Sequence, residues 1–180
     1  MPNAILDPTG GAPAVAAPFT PALRKRDLAG ARVGLLENTK QNAALLLGEV
    51  GRLLVAEHGA AAVTVVRTKQ AFALPAPDEL VAEYARECDV VVTGVGDCGS
   101  CSASAVADGV GFERAGLPAA VICSDAFGAT ADAMAALRGA PGYRYLTTPH
   151  PVAVLTPDQV RERAAQLAGA VADLLAGESA

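Results

Sequence analysis

The sequence has no tryptophan, its aromatic content is only 4%, and it holds two histidines and four cysteines. A core built on large stacked rings is therefore excluded. Hydrophobic residues make up 52% of the chain, but many are alanine, which favours helix and adds little buried area. The core must rest on clusters of Val, Leu and Ile. No apolar run approaches the roughly 18–20 residues of a membrane-spanning helix, so no membrane association is expected. An excess of positive charge is also missing. The formal net charge is -5, which argues against nucleic acid as a partner, and the one basic run, Arg24-Lys25-Arg26, is isolated and reads as a solvated linker. Residues 1–12 carry Asp7 and Gly/Pro turn residues where a signal peptide would have positive charge and then an apolar segment. A cytoplasmic location is the expectation. Four cysteines, Cys88, Cys98, Cys101 and Cys123, are too few for a disulfide scaffold. In a reducing compartment such residues are reactive, metal-binding or simply buried.

What is present is an alternation of strand and helix patterns. At 180 residues the chain fits one domain able to bury a core. Residues 1–28 read as an irregular N-terminal arm, because Asp7-Pro8-Thr9-Gly10-Gly11 is turn chemistry and Pro13, Pro18 and Pro21 block regular pairing. Residues 29–180 read as an α/β domain. Short β-branched or apolar runs predict strands at 33–36, 62–67, 90–93, 119–123 and 143–147. Helical spacing predicts helices at about 41–57, 78–86, 102–114 and 129–137. The last helix is announced by Thr156-Pro157-Asp158-Gln159, a capping Thr, a Pro at the first helical position and a Gln three residues after the cap. Five strands separated by helices imply a doubly wound, mostly parallel sheet covered on both faces. For a chain this short the expected order is 2-1-3-4-5, a flavodoxin-like, Rossmann-like arrangement.

In that order the first and third strands are neighbours, and the crevice between their C-terminal ends is where such sheets bind ligands. Two polar loops fall there, residues 37–42 and 94–104. The second contains Gly94-Val95-Gly96-Asp97-Cys98-Gly99-Ser100-Cys101. Glycines let the backbone turn sharply and approach a ligand closely. Cys98 lies just before a helix and Cys101 at or inside its first turn, where orphan N–H groups and the helix dipole favour a thiolate. The C-x-x-C spacing also lets the second thiol bridge the first or resolve an adduct on it. Asp97 acts against a thiolate unless its side chain turns towards N–H groups or a cation, and Lys40, in the neighbouring loop, is a cation within the same crevice.

The remaining candidates are single residues. His150, between Pro149 and Pro151 after the fifth strand, is the only histidine on this edge and the best general acid or base. His58 precedes Gly59 at a helix end and reads as structural. Cys88, at the opposite edge of the sheet, reads as core, and Cys123 is open between core and a supporting role. No second C-x-x-C or His pair stands at zinc spacing. A metal nevertheless has a possible ligand set in Cys98, Cys101, Cys123 and His150. The Gly94-x-Gly96 pair lacks the third glycine of a dinucleotide fingerprint and follows the wrong strand, so no organic cofactor is expected.

The stretch Val91-Val92-Thr93-Gly94-Val95-Gly96-Asp97-Cys98-Gly99-Ser100-Cys101 resembles the motif of the UGSC family, named for selenocysteine-Gly-Ser-Cys, many members of which carry Cys at the first position. The resemblance extends to Ile5-Leu6-Asp7-Pro8-Thr9-Gly10-Gly11, to Val33-Gly34-Leu35-Leu36-Glu37-Asn38-Thr39-Lys40 and to Pro149-His150-Pro151. Selenoprotein B subunits of glycine, sarcosine and betaine reductases look like more distant relatives, in which the selenol attacks an activated substrate and a neighbouring cysteine helps resolve the product. The resemblance implies that Cys98 holds the selenocysteine position and Cys101 is its partner. One departure is that relatives often carry a further Cys after Cys101, where Ser102-Ala103-Ser104 has none, which speaks against a mechanism needing three thiols in this loop.

The resulting expectation is a thiol-dependent enzyme, a reductase, lyase or transferase acting on a small polar substrate. Cys98 is its nucleophile or redox centre, Cys101 its resolving thiol and His150 its proton carrier. Asn38, Thr39, Lys40, Gly96, Asp97, Gly99 and Ser100 are the expected substrate-binding residues. Two other readings stand beside it: a metal- or ligand-binding non-catalytic subunit that works with a partner, and a racemase-like acid/base pair of Cys98 and Cys123. A homo-oligomer or a partner subunit is compatible with any of the three.

Overall fold

The computed structural model describes residues 19–177. One sheet of five parallel strands runs through the domain in the order β2-β1-β3-β4-β5, as the alternation of patterns predicts. The strands are β1 (Arg32–Glu37), β2 (Ala62–Thr68), β3 (Val90–Gly96), β4 (Ala119–Ser124) and β5 (Leu146–Thr148). The helices between and after them are α1 (Ala43–Glu57), α2 (Asp78–Glu87), α3 (Gly99–Arg114), α4 (Gly128–Leu137) and α5 (Pro157–Leu175).

Strands buried on both faces read as continuous apolar runs, and β1, β3 and β4 do. Their side chains divide by the two-residue period of the pleat. Val33, Leu35, Val92, Ala120 and Ile122 join the cluster under α1 and α5. Leu36, Val91 and Ala119 face the opposite layer with Tyr84 and Phe112, and Val121 and Cys123 pack with Ala105, Val106 and Ala131. Edge strand β2 keeps only Val65 buried. The described part of the N-terminal arm, 19–28, carries no helix or strand. It is tied down all the same: buried Glu113 accepts from the Ala22 N–H at 2.7 Å and pairs with Arg24 at 2.6 Å.

Three boundaries show where packing overrides the sequence pattern, two of them at the site. Strand β3 continues beyond Thr93 to Gly96, because Gly94 and Gly96 still pair with Ile122 and Cys123 across an irregularity. A Cβ on Gly96 would lie 2.6 Å from both Cys123 Sγ and Ser102 Oγ, so only glycine lets β3, β4 and α3 close together here. Helix α3 correspondingly begins at Gly99, three residues early, and takes Cys101 into its first turn. The fifth strand is Leu146–Thr148 rather than 143–147. Tyr143 instead turns into the core, where the missing side chain of Gly109 in α3 leaves room for its ring: a Cβ there would meet the Tyr143 hydroxyl at 2.5 Å. The capping box of α5 forms as read, with the Thr156 N–H donating to Gln159 Oε1 at 2.9 Å and the Gln159 N–H to Thr156 Oγ1 at 3.4 Å. No helix among the described residues is long and apolar enough to cross a membrane.

Candidate active site

Because β1 pairs directly with β3, the two loops singled out in the sequence lie side by side at the C-terminal edge of the sheet, joined by hydrogen bonds between Asn38 and Val95. Cys98 is the N-cap of α3, and its sulfur accepts the Cys101 N–H at 3.3 Å. The Ser100 hydroxyl is 3.5 Å from the same sulfur. Cys98 and Cys101 are joined as a disulfide with Cα atoms 5.2 Å apart, inside the range a bridge requires. Cys98 is half-buried and Cys101 fully buried. The other thiols are different. Burial pushes Cys123 up to about 12, with weaker opposing bonds from Ser102 and Gly96. It also raises Cys88 against a weaker bond from Thr64.

Asp97, expected to contact substrate, is turned away from the cysteines. Its buried carboxylate accepts the Val152 N–H at 3.1 Å, the Ala153 N–H at 2.9 Å and His150 Nδ1 at 3.0 Å. Burial alone would raise its pKa. The backbone N–H groups of Val152 and Ala153, with Ser124 and His150, outweigh that and hold it below the ordinary carboxylate value. A carboxylate only accepts, so Nδ1 of His150 carries the proton and Nε2 is the nitrogen left for chemistry. Ser124 Oγ lies 3.2 Å from Nδ1, the Asp125 carboxylate accepts the His150 N–H at 3.0 Å, and the imidazole meets Phe127 edge-on at 5.3 Å. No hydrogen bond joins His150 to either cysteine among the described residues.

The loop after β1 is built differently from its expected role. Asn38 is buried, with Nδ2 donating to the Val95 carbonyl at 2.9 Å and Oδ1 accepting the Val95 N–H at 3.1 Å. That pair of hydrogen bonds clamps the backbone three residues before Cys98, so the Asn38 side chain holds the cysteine loop. Thr39 is exposed at φ 66°, its N–H held by Glu37 Oε2 at 2.6 Å. The Lys40 ammonium lies over the Phe72 ring, 5.3 Å from its centroid, a cation–π contact. Gly96 is enclosed, while Gly99 and Ser100 sit in the open first turn of α3.

Asn42, where the polar loop 37–42 overlaps the helix expected from about 41, was not singled out as a site residue. It sits at φ 68° just before α1, a conformation Asn tolerates better than most residues. Its Nδ2 donates to the carbonyls of Val152 at 3.0 Å and Leu155 at 2.9 Å. The segment carrying His150 is thus held by its N–H groups at Asp97 and by its carbonyls at Asn42. The metal set Cys98, Cys101, Cys123 and His150 does not assemble: among the described residues no group of three or more His, Cys, Asp or Glu could hold an ion.

Fold and loop together define a five-stranded α/β domain with a Cys-Gly-Ser-Cys pair at its switch point. Residues 4–177 match the model of the UGSC family, and the chain belongs to that family. Comparison with curated proteins finds no match and gives no support to the expected distant likeness to selenoprotein B subunits.

Proposed function

We propose that the protein is a thiol-dependent enzyme in which Cys98 is the nucleophile or redox centre and Cys101 the resolving thiol. The observation that carries this reading is the N-cap position of Cys98, its sulfur facing the Cys101 N–H at 3.3 Å with the partner thiol at bridging distance in the same turn. After Cys98 attacks, the Cys101 thiolate attacks the Cys98 sulfur and breaks its bond to the substrate group. That group leaves with the bonding electron pair and takes up a proton, so it is reduced by two electrons, the cysteine pair is left as a disulfide, and a thiol reductant resets it. His150, fixed by Asp97, supplies or removes a proton through Nε2, and meets Cys98 through the substrate rather than directly. Lys40, Thr39 and Ser100 lie on the two adjoining loops, where Thr39 and Ser100 are exposed, and suit a polar or anionic group. Asn38 and Asp97 act as positioning residues. Full burial of Cys123 weighs against a racemase-like pair with Cys98, and no observation favours the non-catalytic subunit.

Limiting iodoacetamide on the fully reduced protein, read out peptide by peptide by mass spectrometry, tests the assignment. Cys98 should be modified first, and mild oxidation beforehand should protect it together with Cys101. Prior modification of Cys88 or Cys123 would remove Cys98 from the role.

A further inference from the structure

A cleft of about 550 Å³ opens between β2, α2 and the loop that joins them, residues 69–77. Leu74, Pro75, Pro77 and Leu80 give it apolar walls. Its charged rim is largely self-compensated, since Arg67 pairs with Glu83 at 2.6 Å. The volume lies within the usual range for small-molecule pockets, and apolar walls with a few polar groups are their usual lining.

The loop that forms the cleft is fixed by an unusual device. Lys69 is buried, and its ammonium donates to Ser104 Oγ and to Asp108 Oδ2, each at 2.6 Å. Asp108 in turn accepts the Ala76 N–H at 2.6 Å, and Ser104 donates to the Leu74 carbonyl at 2.7 Å. A buried ion pair seldom adds net stability over an apolar filling. What it does here is hold an irregular loop at two points, although that loop leaves Leu74 63% and Phe72 43% exposed. Such pre-shaping lowers the ordering cost of binding.

The cleft also belongs to the edge that carries Cys98. The Lys69 N–H bonds the Glu37 carbonyl at 2.8 Å, Phe72 underlies Lys40, and Ser104 is one helical turn beyond Cys101. Strands β2 and β3 flank β1, so their ends lie two strand spacings, about 10 Å, apart. We infer that this cleft receives the apolar body of the substrate, which makes the substrate class amphipathic: a polar reactive end at Cys98 and an alkyl or aryl body that reaches past the end of β1 to the cleft. This inference rests on Cys98 being the reactive thiol.

Alkylation of the reduced protein by iodoacetamide and by N-octyl iodoacetamide, each normalised to its rate with glutathione, tests it. In the wild type the octyl reagent should modify Cys98 about tenfold faster, the effect of burying roughly two methylenes. Ala71→Trp, which fills the cleft from the loop, and Leu80→Gln, which makes its wall polar, should each bring the ratio near one while leaving the iodoacetamide rate unchanged. Binding of the neutral fluorophore N-phenyl-1-naphthylamine reads the cleft without any cysteine and should be saturable in the wild type and lost in both variants. Absence of dye binding, absence of a tail preference, or persistence of either in both variants overturns the inference. Slow modification of Cys98 by iodoacetamide itself, with dye binding intact, would instead remove the thiol assignment and with it the amphipathic substrate, leaving a cleft unconnected to Cys98.

Discussion

Lys69→Met should destabilise the protein by about 3–5 kcal/mol, the usual result of stripping one partner from a buried ion pair. Asp108 is buried, and burial already raises its carboxyl against the pull of Lys69 and the Ala76 N–H. Without the ammonium the carboxylate keeps only the Ala76 N–H, and Ser104 loses the Lys69 donor. The double variant Lys69→Met/Asp108→Leu removes the stranded charge and should be more stable than Lys69→Met alone, even though it orphans the Ala76 N–H. Urea unfolding of the two singles and the double gives the coupling directly. Amide exchange at Ala76 should rise in Lys69→Met, because the same network holds the cleft loop. A single variant within about 1 kcal/mol of wild type would mean that water or a rearranged loop already satisfies Asp108.

Asp97→Asn should be nearly as severe, at about 2–4 kcal/mol, because two buried backbone donors and an imidazole converge on one carboxylate. An amide offers a single acceptor oxygen and turns an NH2 towards the N–H groups of Val152 or Ala153. The pH dependence has a definite sign. The folded pKa of Asp97 lies below the ordinary 3.8, so on acidification the unfolded chain takes up the proton first. The stabilisation is complete above the ordinary value and disappears as pH falls through the folded value. Urea midpoints of wild type and variant should therefore differ most near neutrality and converge in acid. Nitrogen-15 spectra of His150 should lose the Nδ1–H tautomer in the variant. Equal stability at neutral pH, or a gap that does not change with pH, would contradict this account of the carboxylate.

Both residues show where the sequence could be read and where it could not. Strand order was legible because β1, β3 and β4 are short, apolar and separated by helices, which leaves few arrangements of a parallel sheet. The cysteine loop was legible because its glycines, its strand and its helix are contiguous in the chain. Lys69 and Asp108 were not, since they are 39 residues apart and each looks like an ordinary surface charge until the cleft loop folds onto α3. Asp97 was read as a neighbour of Cys98, yet its direction is set by N–H groups more than fifty residues away. The hydrogen bonds of Asn38 and Asn42 were not legible for a similar reason, because their partners are backbone groups on other loops and backbone groups leave no mark in a sequence. Tyr143 looks like a strand residue, and only the gap at Gly109 reveals the core site that takes its ring.

The pH dependence of Cys98 alkylation tests the central claim most directly. With the disulfide reduced and iodoacetamide limiting, the rate at Cys98 should be half-maximal below the ordinary thiol value of about 8.5. Cys88 and Cys123, whose thiols burial raises, should stay unmodified across the same range. A Cys98 profile centred at or above about 8.5 would contradict the claim that the N-terminus of α3 makes it the reactive thiol.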